Sequence, residues 1–323
     1  MPLRVHVVGA AGYAAGEFVR LALAHPELQV GALESVSHAG SPLADAFPSL
    51  RDYDARFVGS GGVAAAVAPG DVVVLAGSRD LARERAPKFL RAGARVVDFS
   101  DAFRLVGHAE GAIYGWTERY APALAHATFV ANPGCYPTAS LLALAPLAAL
   151  AARPSQLVID AKSGTTGAGR SPRTELLFSE AADDVRPYGL AGHRHHPEIA
   201  QQLAALEITA PLVFTPHVVP LGRGMLADCY AIYATPPDPH AVRAAYDEAY
   251  AGNRAVRVLA ADRAPSLRAV ANTVNAEVHV SVDGCVVRAI AAIDNLGKGA
   301  AGQAMQSINL MHGWEKDHGL NGR

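Results

Sequence analysis

The sequence predicts an α/β protein with two domains: a doubly wound parallel sheet, then an α+β domain carrying a mostly antiparallel sheet. Three observations support this prediction. The chain has 323 residues, a length typical of two domains. Its first half alternates short apolar strands with helical segments, and after about residue 155 the strands become longer, alternate in polarity and have few helices between them.

The first half has the pattern of a parallel sheet covered by helices on both faces. Strands are predicted at Leu3–Val8, Leu28–Leu33, Asp71–Leu75, Arg95–Phe99 and Thr128–Ala131. Helices are predicted at Tyr13–His25, Leu81–Ala92 and Pro137–Leu150.

The second half predicts strands at Leu157–Ala161, Pro211–Val219, Leu226–Ala234, Glu277–Val282 and Val286–Ile293. Helices are predicted at Glu198–Leu206 and His240–Ala251, and a last helix at Ala300–Met311 could return to the first domain.

The composition favours a globular cytoplasmic protein. Half of the residues are hydrophobic, 18% are charged and the net charge is −2, which argues against disorder and against a nucleic-acid partner. Three scattered cysteines do not suggest a disulfide framework. The start has no signal-peptide pattern, and the apolar stretch Ala139–Ala152 falls short of the roughly 20 residues that a membrane span needs. No membrane partner is expected.

A glycine-rich turn joins the first strand to the first helix. It reads Gly9-Ala-Ala-Gly12-Tyr13-Ala-Ala-Gly16. Glycines let a backbone approach a pyrophosphate, and the helix N-terminus supplies N–H groups and a positive dipole. The spacing differs from the usual dinucleotide fingerprint, so a tight turn without a ligand is the alternative.

Glu34 follows the second strand, where a carboxylate commonly accepts the ribose 2′-hydroxyl of NAD. Ser35, Ser37 and His38 come next, without an arginine or lysine for the 2′-phosphate of NADP. The residues by themselves leave the choice of coenzyme open.

Cys135 lies in a Gly-Pro-rich junction between a predicted strand and a predicted helix. A helix N-terminus lowers the pKa of a thiol and favours the thiolate, which predicts a nucleophile. The alternative is an inert buried cysteine, an interpretation that suits Cys229 and Cys285 better because both lie within strand patterns.

His193, His195 and His196 flank an arginine in a polar segment that suggests an acid/base and anion-binding site. If this segment is extended, His193 and His195 point to opposite sides, so that only one faces Cys135. No zinc-ligand pattern accompanies them, and no metal is expected.

Asp160–Arg170 is a polar glycine-rich segment in which backbone N–H groups, Ser163 and Arg170 could hold a phosphate. Its spacing is not that of a P-loop, and a flexible surface loop is the alternative.

Six blocks together resemble the N-acetyl-gamma-glutamyl-phosphate reductase family of arginine biosynthesis, in the semialdehyde dehydrogenase superfamily. They occur in order along nearly the whole chain. The blocks begin at Gly9, Asn132, Asp160, His193, Phe214 and Ile293, and the most specific are Asn132-Pro-Gly-Cys-Tyr-Pro-Thr-Ala139 and Ile293-Asp-Asn-Leu-Gly-Lys-Gly-Ala-Ala-Gly-Gln303.

The resemblance implies a Rossmann-type domain of residues 1–134 plus 299–323 and a catalytic and oligomerisation domain of residues 135–298. It implies an NADPH-dependent reduction of an acyl phosphate through a thioester on Cys135, with His193 as acid/base, in a homodimer or homotetramer. Substrate contacts are expected from Arg104, Ser163, Arg170 and His195, and coenzyme contacts from Gly9, Gly12, Tyr13, Gly16, Ser35, Ser37 and Asn295.

The chain departs from the family pattern at several positions. Val36 stands where an arginine often follows the second strand, and Ser100-Asp-Ala-Phe-Arg104 has its aspartate displaced by one position. Three alternatives remain. They are the lysine-pathway reductase of a carrier-bound aminoadipyl (or glutamyl) phosphate, aspartate-semialdehyde dehydrogenase, and a non-catalytic dinucleotide-binding redox sensor. Tyr136-Pro137 argues against the first, and Cys135 with the His193 segment argues against the last.

Overall fold

The computed structural model describes residues 2–320. The chain divides into two compact units, one formed by the described parts of Met1–Pro133 and Ala300–Arg323, the other by Gly134–Gly299. The domain bounds expected from the resemblance lie within one residue of these.

The first unit contains a parallel sheet of seven strands in the order β3-β2-β1-β4-β5-β7-β6. Its strands are β1 (Leu3–Val8), β2 (Leu28–Glu34), β3 (Phe57–Val58), β4 (Val72–Leu75), β5 (Arg95–Asp98), β6 (Ile113–Tyr114) and β7 (Phe129–Ala131). The order reverses between β1 and β4, and ligands of such sheets bind at that point.

The helices of the first unit are α1 (Tyr13–Ala24), α2 (Leu43–Ala46), α3 (Gly62–Ala66), α4 (Arg79–Arg91) and α5 (Thr117–Leu124). A C-terminal helix over Gly302–Met311, numbered α11 in chain order, packs against α1 and α5. Aliphatic side chains of the central strands and the rings of Phe89, Phe103 and Phe129 form a fully buried core.

The second unit contains a mixed sheet of seven strands, mostly antiparallel, in the order β12-β13-β14-β11-β8-β10-β9. Its strands are β8 (Gln156–Gly164), β9 (Arg186–Pro187), β10 (Leu212–Val219), β11 (Met225–Ile232), β12 (Val256–Val258), β13 (Ala276–Asp283) and β14 (Val286–Ile293).

The helices of the second unit are α6 (Cys135–Leu144), α7 (Phe178–Ala181), α8 (His195–Ala204), α9 (Pro239–Ala249) and α10 (Leu267–Val270). Helix α6 is buried and packs against β11, β13 and β14. Along β11, Met225, Ala227, Cys229 and Ala231 are buried, whereas the alternate side chains are partly exposed. One face of β11 is therefore covered by helix α6, and the side chains on its other face are partly exposed.

The predicted fold class is confirmed, and most of the longer elements lie where expected. The helix predicted over Pro137–Leu150 instead begins at Cys135 and ends at Leu144, followed by a 3-10 turn. The four strands that the sequence did not predict, β3, β6, β9 and β12, are the four edge strands of the two sheets. None of the helices in the described part of the chain has the length and apolar character needed to cross a bilayer.

Candidate active site

Cys135 is the first residue of α6 in the second unit. Its neighbour Gly134 caps the helix with extended backbone and without a side-chain hydrogen bond. The Gly134 N–H donates to Oε1 of the buried Glu198 at 2.9 Å. A Cβ on Gly299 would lie 2.9 Å from the Cβ of Cys135, so only glycine permits this close approach. The sulfur thus lies at a helix N-terminus, where negative charge is stabilised.

A cavity of about 280 Å³ opens beside this cysteine within the second unit. Three kinds of side chain line it with the thiol: two histidines, two tyrosines and three arginines. These are His193, His195, Tyr136, Tyr188, Arg173, Arg186 and Arg194, together with Ser163 and Glu175.

Histidine and aromatic rings form a packed cluster around Tyr136. Its ring contacts His193, His195 and Phe214 with centroid distances of 5.4 to 5.7 Å. The Tyr188 hydroxyl donates to the Tyr136 hydroxyl at 3.0 Å, and Tyr136 donates to the carbonyl of His217 at 3.1 Å. Burial raises the pKa of Tyr136, and it raises the pKa of Tyr188 to about 12. Both hydroxyls therefore stay protonated at neutral pH.

The histidine segment is not extended, so the condition under which only one of its first two histidines would face Cys135 is not met. Arg194 has helical backbone angles, φ −55° and ψ −26°, and His195 is the first residue of α8. The rings of His193 and His195 consequently lie 4.9 Å apart and line the same cavity. The chain turns here because the amphipathic helix α8 starts earlier than predicted and buries His195, Glu198 and Ile199 on one face.

His193 is held in a defined orientation. The backbone N–H of His195 donates to its Nδ1 at 3.1 Å. Burial lowers the pKa of His193 to about 4, and the positive charge of Arg194 acts in the same direction. The imidazole is therefore neutral at neutral pH.

The glycine-rich segment is part strand and part turn. Asp160–Gly164 is the end of β8, and a 3-10 turn follows over Thr165–Ala168. Ser163 is buried, donates to the Gly164 carbonyl at 3.0 Å and lines the cavity. Arg170 is exposed and does not line it. Arg194 is the arginine of the predicted histidine segment, whereas Arg173 and Arg186 were not predicted, because they lie in an irregular polar stretch without a motif.

The block that begins at Ile293 holds the 3-10 turn over Thr165–Ala168 in place through hydrogen bonds within the second unit. Asn295 is buried, its Oδ1 accepts from the Gly224 N–H at 2.7 Å, and its Nδ2 donates to Thr166 Oγ1 at 3.0 Å. Lys298 is fully buried. Both ends of the Asn295 amide are used inside the unit, which suits a structural role better than the expected coenzyme contact.

The glycine-rich turn of the first unit fits a dinucleotide. Gly9 has φ +79°, and a Cβ there would lie 2.8 Å from the Ala76 carbonyl oxygen. Gly12 caps α1 without any side-chain hydrogen bond, and a Cβ on Gly16 would collide with the ring of Phe47. Tyr13, the first residue of α1, is partly exposed. The loop is a backbone cradle at a helix N-terminus, as a pyrophosphate requires.

The carboxyl group of Glu34 is directed into the protein. It is buried, its Oε2 accepts from the Val63 N–H at 3.1 Å, and its Oε1 lies 3.8 Å from Arg85. Ser35 Oγ lies 3.4 Å from Ser37 Oγ, which is 2.9 Å from Nδ1 of His38.

Arg104 is buried in the first unit. Its Nε donates to the Asn132 carbonyl and its Nη2 to the Phe99 carbonyl, both at 2.8 Å. The displaced aspartate of the same block, Asp101, forms a bidentate ion pair with Arg79 of α4 at 3.0 and 2.7 Å. Arg104 thus organises the turn before Cys135, with much of its donor capacity used on the backbone.

Among residues 2–320, the structure brings together no group of three or more histidine, cysteine or acidic side chains suited to holding a metal ion.

Two family models match the chain, one for each unit. Residues 4–127 match the semialdehyde dehydrogenase NAD binding domain, and residues 135–295 match the semialdehyde dehydrogenase dimerisation domain. The folds and the site therefore define a nicotinamide-dependent oxidoreductase of the semialdehyde dehydrogenase class.

Similarity to two relatives identifies the family within this class. The chain is 38% identical to an N-acetyl-gamma-glutamyl-phosphate reductase of Acinetobacter baumannii (strain AYE) over 346 aligned positions, covering 99% of this chain and 98% of the relative. It is 39% identical to the protein of that name from Neisseria gonorrhoeae (strain NCCP11945), covering 99% and 97%. The chain belongs to the N-acetyl-gamma-glutamyl-phosphate reductase family.

Solved structures share the fold. An aspartate semialdehyde dehydrogenase II of Vibrio cholerae, complexed with ASA, superposes with a TM-score of 0.76 at 17% identity, covering 97% of this chain and 98% of that one. The enzyme of Candida albicans, solved with NADP, gives a TM-score of 0.71 at 18% identity, covering 97% and 99%.

Proposed function

We propose that this chain reduces N-acetyl-gamma-glutamyl phosphate to N-acetylglutamate semialdehyde with NADPH, through a thioester on Cys135. The observation that carries the proposal is a thiol at a helix N-terminus in a cavity lined by two histidines and three arginines. The names of the relatives at 38 and 39% identity supply the substrate.

The first half of the reaction is acyl transfer to sulfur. The Cys135 thiolate attacks the acyl carbon, and the C–O bond to phosphate breaks with its electron pair going to the phosphate. Arg173, Arg186 and Arg194 offer the positive charge that an anionic substrate and a departing phosphate need. Ser163 lines the same cavity and could hold the phosphate, whereas exposed Arg170 and backbone-bonded Arg104 are weaker candidates.

The second half reduces the thioester to the aldehyde. The nicotinamide, when bound, supplies the hydride. The thioester would be held at the helix N-terminus, and the imidazoles of His193 and His195 line the same cavity, where they can donate hydrogen bonds to the substrate oxygen or exchange protons. The Tyr136 ring packs against both imidazoles, and the Tyr188 ring packs against that of His193.

NADPH is proposed as the reductant because Glu34 is not free to read a ribose 2′-hydroxyl. Its carboxyl group is buried and bonded to the Val63 N–H. Ser35, Ser37 and His38 then offer hydroxyl and imidazole donors to a 2′-phosphate. The Candida albicans relative of the same fold was solved with NADP. Gly9, Gly12, Tyr13 and Gly16 would hold the pyrophosphate.

A homodimer or homotetramer is proposed for the assembly. The second unit matches a dimerisation domain, and the side chains on one face of β11 are only partly covered. Leu226, Tyr230 and Ile232 of β11 lie partly exposed on that face.

The proposal is tested by the reverse reaction, the phosphate-dependent oxidation of N-acetylglutamate semialdehyde, assayed separately with NADP⁺ and NAD⁺. We expect turnover that requires phosphate and is faster with NADP⁺. Absence of turnover with this aldehyde, or turnover only with a carrier-bound aminoadipyl semialdehyde, would overturn the substrate assignment.

A further inference from the structure

Backbone contacts in the histidine segment define the protonation state of His193. A backbone N–H can only donate, so the 3.1 Å hydrogen bond from the His195 N–H requires Nδ1 of His193 to be the acceptor. In the neutral ring the proton must then be on Nε2.

Packing keeps the ring in that orientation. Tyr136, Tyr188, His195 and Phe214 surround it with centroid distances between 4.9 and 5.7 Å. A half-turn about the Cβ–Cγ bond would put Cδ2 in the place of Nδ1 and lose the hydrogen bond from the His195 N–H.

Protonation of His193 is unfavourable on geometric grounds alone. A proton on Nδ1 would face the His195 N–H and replace a hydrogen bond by repulsion between two donors. The segment also immediately precedes α8, whose N-terminus carries a positive partial charge. Arg173, Arg186 and Arg194 line the same cavity, with Glu175 as the acidic group among its lining residues. Burial lowers the pKa of His193 to about 4 in accordance with this setting.

The chemistry of the reductive half does not need a proton from this ring. Reduction of the thioester leaves a negatively charged oxygen on the carbon bonded to Sγ. When the C–S bond breaks, its electron pair returns to Sγ and an oxygen lone pair forms the aldehyde C=O bond. The proton that the overall reaction consumes is taken up by the departing phosphate. The oxygen therefore needs a hydrogen-bond donor that remains in place.

We propose that His193 is fixed as the neutral Nε2–H tautomer and serves as an oxyanion donor to the substrate oxygen, not as the group that exchanges its proton. This inference rests on the function proposed above and assigns different roles to the two histidines, leaving proton exchange to His195 or water. A neutral imidazole can fill such a role where a helix N-terminus holds its pKa low.

Nitrogen NMR of the native protein carrying ¹⁵N-histidine tests the tautomer directly, with the His193 signals assigned by their loss in His193→Gln. We expect Nδ1 unprotonated and Nε2 protonated throughout about pH 5 to 8, roughly 1.5 units either side of the ordinary histidine pKa. Imidazolium signals that grow in between these limits, or a proton on Nδ1, would overturn the proposal. This measurement needs no turnover, so its failure is distinct from failure of the proposed reaction, which Cys135→Ser tests.

Two amide variants separate a donor from an acid/base. The amide nitrogen of Gln reaches approximately the position of Nε2, whereas that of Asn reaches only that of Nδ1. We expect His193→Gln to lower kcat by less than about tenfold and to keep both limbs of the pH–rate profile. In His193→Asn and His193→Ala, kcat should fall by about 10²- to 10³-fold, as it does when one oxyanion donor is removed. A Gln variant as impaired as the Ala variant, with one limb missing, would make His193 the acid/base.

Discussion

Replacement of Glu198 tests how the nucleophile is positioned. Its Oε1 accepts the Gly134 N–H at 2.9 Å, one residue before Cys135, and its side chain is buried. Glu198→Ala leaves that N–H without its acceptor, which costs about 1 to 3 kcal/mol for a buried donor. Glu198→Gln keeps an acceptor oxygen and should cost about 1 kcal/mol or less.

The catalytic loss should exceed the stability loss. A shift of about 1 Å in a reacting group can reduce the rate by about 10², so we expect kcat of Glu198→Ala to fall by about 10- to 100-fold with a smaller change in KM. Glu198→Gln should recover most of this loss. The assay is steady-state kinetics of the phosphate-dependent oxidation, together with the rate at which iodoacetamide alkylates Cys135 and the melting temperature.

A control variant on the same helix distinguishes positioning from instability. Ala200→Gly weakens α8 by about 1 kcal/mol without removing a partner of Gly134. If Glu198→Ala keeps kcat and the alkylation rate within about twofold of native, or if Ala200→Gly lowers kcat equally, the hydrogen bond does not position the thiol.

Three further results are expected. Cys135→Ser should abolish turnover while leaving the fold and coenzyme binding intact, with Cys285→Ser as the control; residual activity within about tenfold of native would contradict the covalent route. Val36 is 79% exposed, so Val36→Arg should raise the preference for NADPH over NADH by about tenfold, which is the effect of one added charge-assisted hydrogen bond. If the ratio of the dissociation constants for NADH and NADPH does not change, the 2′-phosphate binds elsewhere. Burial, with Arg95 nearby, lowers the pKa of His312 to about 4, below its value of 6.5 in the unfolded chain. Between these two pKa values the unfolded state binds more protons than the folded state, so the melting temperature should fall as the pH drops from about 6.5 to 4. We expect the melting temperature to fall less steeply with pH in His312→Asn, and as steeply as in the native protein in the control His126→Asn.

The sequence predicts the parts of this fold that periodicity and apolar runs encode. β1 and β14 occur with the predicted bounds because each is a long run with a clear hydrophobic pattern. The edge strands β3, β6 and β9 have two residues each, too few to show a period of two. Their pairing is decided by the neighbouring strand rather than by their own composition.

The candidate site is predictable where a residue type is itself the signal. The Gly-Pro junction at Cys135 and the histidine segment both point to chemistry, and the structure places Cys135, His193, His195 and Ser163 around one cavity. The helix was predicted to start at Glu198 but starts at His195, because the start of α8 depends on tertiary burial of its apolar face.

Other site features give no local sequence signal. In the sequence, Glu198 looks like an ordinary acidic residue in the first turn of a helix. Its hydrogen bond with Gly134 joins residues that are 64 positions apart. Arg173 and Arg186 lie in the irregular stretch that contains α7, where no pattern relates them to the cysteine. The coenzyme role expected for Asn295 and the substrate role expected for Arg104 stay predictions, since both side chains are buried and bonded within their own units.

The central claim, a thioester on Cys135, is tested most directly by mass spectrometry of the protein quenched in acid after mixing with N-acetylglutamate semialdehyde and NADP⁺ without phosphate. The account predicts an added N-acetylglutamyl group on the peptide that contains Cys135, removed by phosphate or hydroxylamine and absent from Cys135→Ser. An unmodified Cys135 in protein that turns over normally once phosphate is added, or the acyl group on another residue, would contradict it.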